Sequence, residues 1–455
     1  MSMGNKLLVG FGDMVITPEE PVPLGGCSFD SSTRFFENIF EDIHGIATAI
    51  TDAQGNSILF VTMDLVRAYN GVVKAVKEQL SEKLGLGQDR IMVTCTHTHS
   101  APDLINGKEP SIQRYEPWLI EKLVAAGVAA WEDRKPATMR YGKILAPGLN
   151  FVKHYQHTLP DGTVKYFGDG FGTPVYDETT EHVDPADPTL RLVQFHREGG
   201  KDVVIANFQA HPQLTGGANK KNLSADYPGV FREVLGAQLD CHVHFLQGAC
   251  GNINPKSRLA RENYTVDHRV HGAKLAYYGV RCLEKYMKTA EDTTLKTHQT
   301  VFRGMIDHSL DHLADAAREV MAVYDTTKDM EACKRAGEPY GIESYRKAAF
   351  ILIHMRQPEY YDMELNVISL GEELAMVTAP NELFHRNALG VENLSPYSMT
   401  LTCGYANGHY FYVPCRQAYD YGSYESLCSR MFRGTGEQYG RMFLQMLQDL
   451  KGTER

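Results

Sequence analysis

The chain of 455 residues contains no apolar run approaching the about 20 residues that a membrane-crossing helix needs. It also lacks internal repeats, low-complexity tracts and Pro-rich linkers, and its length suggests one large domain or two closely joined ones. Long runs of Lys and Arg are missing too. The 56 acidic side chains outnumber the 46 basic ones, for a net charge of −10, which argues against nucleic acid as a partner. No CxxC pair occurs among nine scattered cysteines, and nine is odd, so reduced thiols are the simplest account. The opening MSMGNKLLVGFGDM lacks a basic start, a long apolar stretch and a small-residue cleavage site. The expected location is therefore cytoplasmic. What remains is an ordinary globular composition, 43% hydrophobic and 22% charged, able to build a core without disulfides.

Short β-branched runs alternate with amphipathic stretches. Strands are predicted over 45–52, 57–63, 90–95, 202–209 and 242–247, and the DAQGN turn joins the first two as a hairpin. Helices are predicted over 71–84, 115–133, 228–238, 262–288, 308–324 and 435–450, where apolar residues recur three and four apart. The expected class is α/β (α+β), a mixed β-sheet core flanked by helices. No eightfold strand–helix period supports a TIM barrel. A sub-boundary near 290–300, before the strand-like KTHQTVFRG, is the one candidate division of a single 1–455 domain. Two long loops rich in Gly and aromatics, 146–190 and 403–426, are where binding and catalysis are expected.

The segment RIMVTCTHTHSAPD runs an apolar strand straight into two histidines. In extended chain His97 and His99 lie on one side, roughly 7 Å apart. They can converge on one ion, divide between metal and substrate, or simply end a strand in solvent. A second strand delivers His211 in AHP, followed by SADYPG. A third, HVHFL, leads into QGACGNINP, whose glycines allow a tight turn and a cradle of backbone N–H groups for an anion. His242 and His244 read as structural strand residues.

In this order, THTHSAP, AHP with SADYPG, and QGACGNINP resemble the neutral/alkaline non-lysosomal ceramidase family. The resemblance continues through VTAPNELF and YANGHYFYVPCRQAYDYGSYE and covers nearly the whole chain. It implies a hydrolase of linear amide C–N bonds that uses one zinc ion. By the same match His97, His211, Glu382 and Tyr412 are the metal ligands, His99 is the non-ligand histidine beside the zinc, and Tyr424 is a phenol of the catalytic site. Where the family carries an Asp and then a catalytic Ser before the proline of the Gly-rich turn, this chain has Asn252 and Asn254. Asn254 cannot be a hydroxyl nucleophile, but its amide can hydrogen-bond a carbonyl or an oxyanion. The family's substrate-binding Arg is matched most nearly by Lys153 or His154, with Asn252 a further substrate contact. The resemblance is to the family's catalytic domain, and the C-terminal immunoglobulin-like domain of longer ceramidases is expected to be lacking.

The resemblance implies metal-assisted attack of water on a small N-acyl or lipid-like substrate, with His99 moving the proton and Tyr424 and Asn254 donating to the developing oxyanion. Three rival readings stand beside it. One is a TIM-barrel amidohydrolase, one an esterase or carbohydrate-active hydrolase on the ceramidase scaffold, and one a ligand-binding protein whose catalytic site has decayed. Asp226 either orients a histidine or caps a helix. His308 and His312, four apart, are predicted on a solvated helix face without the HExxH pattern; His268 and His271 read as helix surface or packing. Cys95 and Cys250 read as small buried residues. Asn222, Asn263 and Asn393 match glycosylation sequons, which carry little without a secretory signal.

Overall fold

Eight strands carry the main sheet: β1 (Leu7–Val15), β2 (His44–Thr51), β3 (Ser57–Met63), β4 (Ile91–Cys95), β5 (Lys135–Leu145), β6 (Thr189–Arg197), β7 (Val203–Phe208) and β8 (His242–Gln247). The computed structural model describes residues 7–26, 34–105, 107–168, 176–216, 220–259, 267–420 and 422–452. The spatial order is β8-β7-β6-β5-β1-β2-β3-β4, with Lys288–Thr289 pairing beside β5. The terminal pairs β7/β8 and β3/β4 are parallel, and the neighbours between them are antiparallel.

Strand alternation explains the layers. In β3, Leu59, Val61 and Met63 turn to one apolar cluster, while Ile58 and Phe60 turn to another. The first face is covered by α1 (Asn70–Leu84), α2 (Pro110–Glu132), α3 (Asp226–Leu239) and α4 (His268–Lys285). Helix α2 lies directly on β1, because Gly10 and Gly12 present no side chain. A Cβ there would sit 1.9 and 2.1 Å from the carbonyl oxygens of Ala130 and Ala126.

The second face meets a smaller sheet of β9 (Leu295–Met305), β10 (Tyr360–Leu370), β11 (Leu374–Thr378) and β12 (Met399–Cys403), in that order. Ile368, Leu370, Met376 and Leu401 pack there against Ile50, Phe60, Phe195 and Ile205. Each such buried side chain contributes about 1.5–3 kcal/mol relative to exposure. Beyond this sheet lie α5 (Ala314–Thr327), α6 (Met330–Gly337) and α7 (Tyr345–His354), grouped around Val320, Cys333 and Ile351. Helices α8 (His385–Leu394) and α10 (Thr435–Lys451) cover its outer face, and the short α9 (Tyr424–Cys428) sits with Phe384 and Tyr412. The architecture is helices, sheet, sheet, helices. Among the described residues no helix is long and apolar enough to cross a membrane.

The α/β expectation with a mixed sheet holds, and the DAQGN turn is an antiparallel hairpin. Its Asp52 side chain accepts from the N–H groups of Gln54 and Asn56, an Asx turn that sets the register. His242 and His244 are strand residues, and His244 ties β8 to Thr48 and Thr62 at 2.8 and 2.6 Å, drawing one end of the sheet toward the other. The expected helix over 308–324 starts only at Ala314. His308 precedes it, held by Asp311, and His312 lies in a single 3-10 turn, because the Asp311 carboxylate takes the imidazole before regular helix begins. Residues 262–266 of another expected helix, and the sequon at Asn263, lie outside the described residues.

Candidate metal centre

Three parallel strand pairs, β3/β4, β7/β8 and β11/β12, aim their C-terminal ends at one region. In open α/β sheets that is where ligands bind. From β4 the chain enters His97 and His99, from β7 it enters His211, and from β11 it reaches Glu382. From β12 it runs through Tyr405 to Tyr412. Glu382–Leu383 and Tyr412–Val413 form a two-stranded parallel ribbon with Glu382 opposite Tyr412. Backbone bonds lace these segments together: His99 N donates to Pro212 O at 2.9 Å, Gly251 N to Leu383 O at 2.8 Å and Asn407 N to Val93 O at 2.7 Å.

The tautomers of two histidines follow from their neighbours. His97 Nδ1 donates to Val66 O at 2.6 Å, and His211 Nδ1 to Cys250 O at 2.6 Å. Both Nε2 lone pairs therefore point the other way, toward Glu382. Its Oε2 lies 3.4 Å from His97 Nε2 and 3.6 Å from His211 Nε2. His99 Nε2 is 3.2 Å from His97 Nε2, and the three imidazoles form a buried cluster whose donor atoms lie within 4.8 Å of one another. His211 Nε2 and Glu382 Oε2 are buried without any hydrogen-bond partner among the described residues. Orphaned buried acceptors cost free energy unless a proton or cation fills the space between them.

The donor set fits a metal. Two donors bound about 2.0–2.2 Å from a tetrahedral ion are separated by about 3.4 Å, close to the distances found. Imidazole nitrogens with a carboxylate suit zinc, and backbone carbonyls that orient the ligating rings are the usual supporting shell. The backbone is strained where this is assembled: His97, Tyr405, Asn407 and Phe411 all have φ between 57° and 66°. The Tyr405 ring stacks on His97 at 4.2 Å, and its hydroxyl lies 3.0 Å from Cys250 Sγ. Gly26 packs against His99, for a Cβ there would meet the imidazole at 2.6 Å.

Electrostatics follow from burial. It lowers the His99 pKa well below the ordinary imidazole range, helped by His97 and His211, and lowers that of His211 to about 4. Burial alone would raise the Glu382 pKa, yet the facing His97 and His211 hold it well below the usual carboxylate range. Burial, together with the Glu382 charge, keeps the Tyr412 phenol protonated.

The other expected residues surround this centre. The Tyr424 ring meets that of Tyr412 at 6.1 Å. Lys153 Nζ and His154 Nε2 each lie 2.8 Å from the buried Glu425 carboxylate, and Lys153 also sits 5.5 Å over the Tyr412 ring. Asn252 Oδ1 accepts from His385 N, and Asn254 Oδ1 accepts from Gln213. One expectation changes and one open alternative resolves. In the Gly-rich turn, the N–H groups of Gly248, Gly251 and Ile253 donate to Phe208, Leu383 and Cys250, so they anchor the chain and are closed to an anion. Asp226 accepts from Thr215 and Tyr227 at the start of α3, the helix-end role of its two alternatives, and among the described residues it makes no hydrogen bond to a histidine. Cys95 and Cys250 are buried as expected.

Sequence reasoning missed His409, Glu425 and Arg67. His409 Nε2 lies 3.9 Å from Glu382 Oε1, across the carboxylate from the imidazoles. Both His409 and Glu425 stand in the quoted Tyr-rich segment, but Glu425 meets His154 across 271 positions, a separation no local pattern encodes.

No family model matches the chain, and no curated protein matches it. Solved structures do. A neutral ceramidase from Pseudomonas aeruginosa superposes with a TM-score of 0.72 at 17% identity, covering 98% of this chain and 75% of that one. A ceramidase complexed with C2 gives 0.71 at 17% identity, covering 98% and 76%. The chain has a neutral-ceramidase-like fold.

Proposed function

We propose that this protein is a zinc-dependent hydrolase of N-acyl (amide) bonds, with His97, His211, Glu382 and Tyr412 holding one ion. One observation carries the reading: His211 Nε2 and Glu382 Oε2 are buried, unpartnered and 3.6 Å apart, with His97 Nε2 beside them. The likeness to ceramidases in fold supports the reaction class, and the chemistry at the centre supports metal-assisted hydrolysis.

Bound zinc supplies Lewis acidity toward the scissile carbonyl and the attacking water. The protein does the rest. His99, neutral and adjoining the centre, takes a proton from the water as its oxygen bonds to the carbonyl carbon, then returns it to the amine as the C–N bond breaks. Tyr424 and Asn254 donate to the oxygen that gains charge. Loss of the family serine is tolerated because water is the nucleophile. Lys153, fixed by Glu425, holds a positive charge next to Tyr412 and the substrate.

The test joins metal analysis of the purified protein to a hydrolysis screen of N-acyl lipids, short N-acyl amines, N-acyl sugars and matching esters, with and without chelator. We expect one zinc per chain and chelator-sensitive release of amine. Activity indifferent to chelation, or a protein that binds no divalent metal, would overturn the proposal.

A further inference from the structure

The positive charges around the centre do not balance. Arg67 pairs with Asp103 at 3.1 Å, Lys153 pairs with Glu425 at 2.8 Å, and Glu382 faces the imidazoles. Arg430 is left over. Its guanidinium carbon sits over Phe411, 3.4 Å from the ring centroid, and one amino group donates to the Gln357 side-chain oxygen. Its Nε is buried without an acceptor, and among the described residues no carboxylate forms an ion pair with it. Burial lowers its pKa to about 10, opposed by the neighbouring Tyr361 hydroxyl and deepened a little by Arg67, so it remains a cation at neutral pH.

Its position ties it to the reaction. Phe411 is stacked under Arg430 and lies 5.3 Å from the His409 ring, which in turn reaches Glu382 at 3.9 Å. Arg430 is thus two side chains from the candidate ligands. Arg67, Phe411 and Arg430 are all partly exposed, whereas His97 and His211 are closed off, so these three are open to solvent where the ligands are not. A half-buried guanidinium without a carboxylate is costly to maintain, and a planar fork of donors suits an oxyanion.

We propose that Arg430 binds a carboxylate carried by the substrate, so that the preferred substrates are N-acyl amino acids or other carboxylate-bearing N-acyl compounds in place of neutral N-acyl amines. This rests on the hydrolase reading and narrows its substrate class. The carboxylate can sit on the amine side or at the far end of the acyl chain, and the Arg430 interaction is the same in either case.

The experiment compares hydrolysis of N-hexanoylglycine, N-hexanoylethylamine and an N-succinyl alkylamine by the wild type, R430Q and R430K. Alongside, binding of N-acetylglycine is followed by ligand-observed NMR, which needs no turnover. A charged hydrogen bond is worth enough to give the carboxylate-bearing substrates about a 10- to 100-fold advantage in kcat/KM. R430Q should lose that advantage through KM, and R430K should keep part of it. The glycine and succinyl compounds then tell which side bears the anion. If wild type treats charged and neutral amides alike, or R430Q lowers both equally, the carboxylate proposal fails while the hydrolase stands. If nothing is hydrolysed but N-acetylglycine binds the wild type and not R430Q or, more weakly, R430K, the anion site stands and the hydrolase reading fails. Absence of both activity and binding sinks both.

Discussion

His211 Nε2 and Glu382 Oε2 face each other at 3.6 Å with no other partner for either atom, while His211 Nδ1 is held by the carbonyl of Cys250. This arrangement favours a bound cation over the empty fold. Glu382→Gln should therefore reduce zinc affinity by more than the roughly 10- to 100-fold that loss of an outer-shell partner costs. Calorimetric zinc titration reads the effect. A variant that binds zinc as tightly as wild type would contradict this account.

The Lys153–Glu425–His154 cluster is closed from solvent, with Glu425 only 3% exposed. Glu425→Ala strands a buried ammonium, and we expect a loss of about 3–5 kcal/mol in urea unfolding. A paired replacement, Lys153→Met with Glu425→Leu, should recover much of that stability but not activity. If the single variant is as stable as wild type, the cluster is not the buried ion pair described.

His271, in α4, is buried against Tyr227 with both ring nitrogens unpartnered among the described residues, and burial lowers its pKa to about 3. A depressed imidazole pKa means that the unfolded chain binds a proton the folded one refuses. Its contribution is fully present above the unfolded value near 6.5 and is lost as pH falls from there toward 3, at about 1.4 kcal/mol per pH unit. His271→Leu should flatten the acid limb of the stability curve between pH 6 and 4 by about that slope. An unaltered limb would show that His271 is protonated in the fold.

Gly12→Ala places a methyl 2.1 Å from the Ala126 carbonyl oxygen, and main chain cannot yield as a side-chain tip can. We expect a cost of about 3 kcal/mol or more as α2 is pushed from β1. Gly55→Ala is the comparison, since nothing lies within 4 Å there and only its positive φ resists. Equal costs at the two positions would refute the close approach.

Strands with one-sided or uniform apolar character, such as Ser57–Met63 and His242–Gln247, were legible in the sequence because burial on both faces leaves a continuous apolar run. Tyr360–Leu370 and Lys135–Leu145 were not, since their outer positions are polar and the second opens on Lys-Pro and contains Gly142. Helix α2 begins at Pro110, five residues ahead of the periodic stretch, because Glu109 caps it and proline suits a first turn.

Local order of residues by itself determined the strand-to-histidine junctions at His97 and His211, the hairpin at DAQGN and the mixed α/β class, since each depends on neighbours a few positions apart. The resemblance already grouped Glu382 with those histidines, and tertiary structure alone decided that His409 stands behind it and that Arg430, among the described residues, is left without a counter-charge. Distance and burial set those relationships, and they join residues separated by far more chain than any periodicity spans.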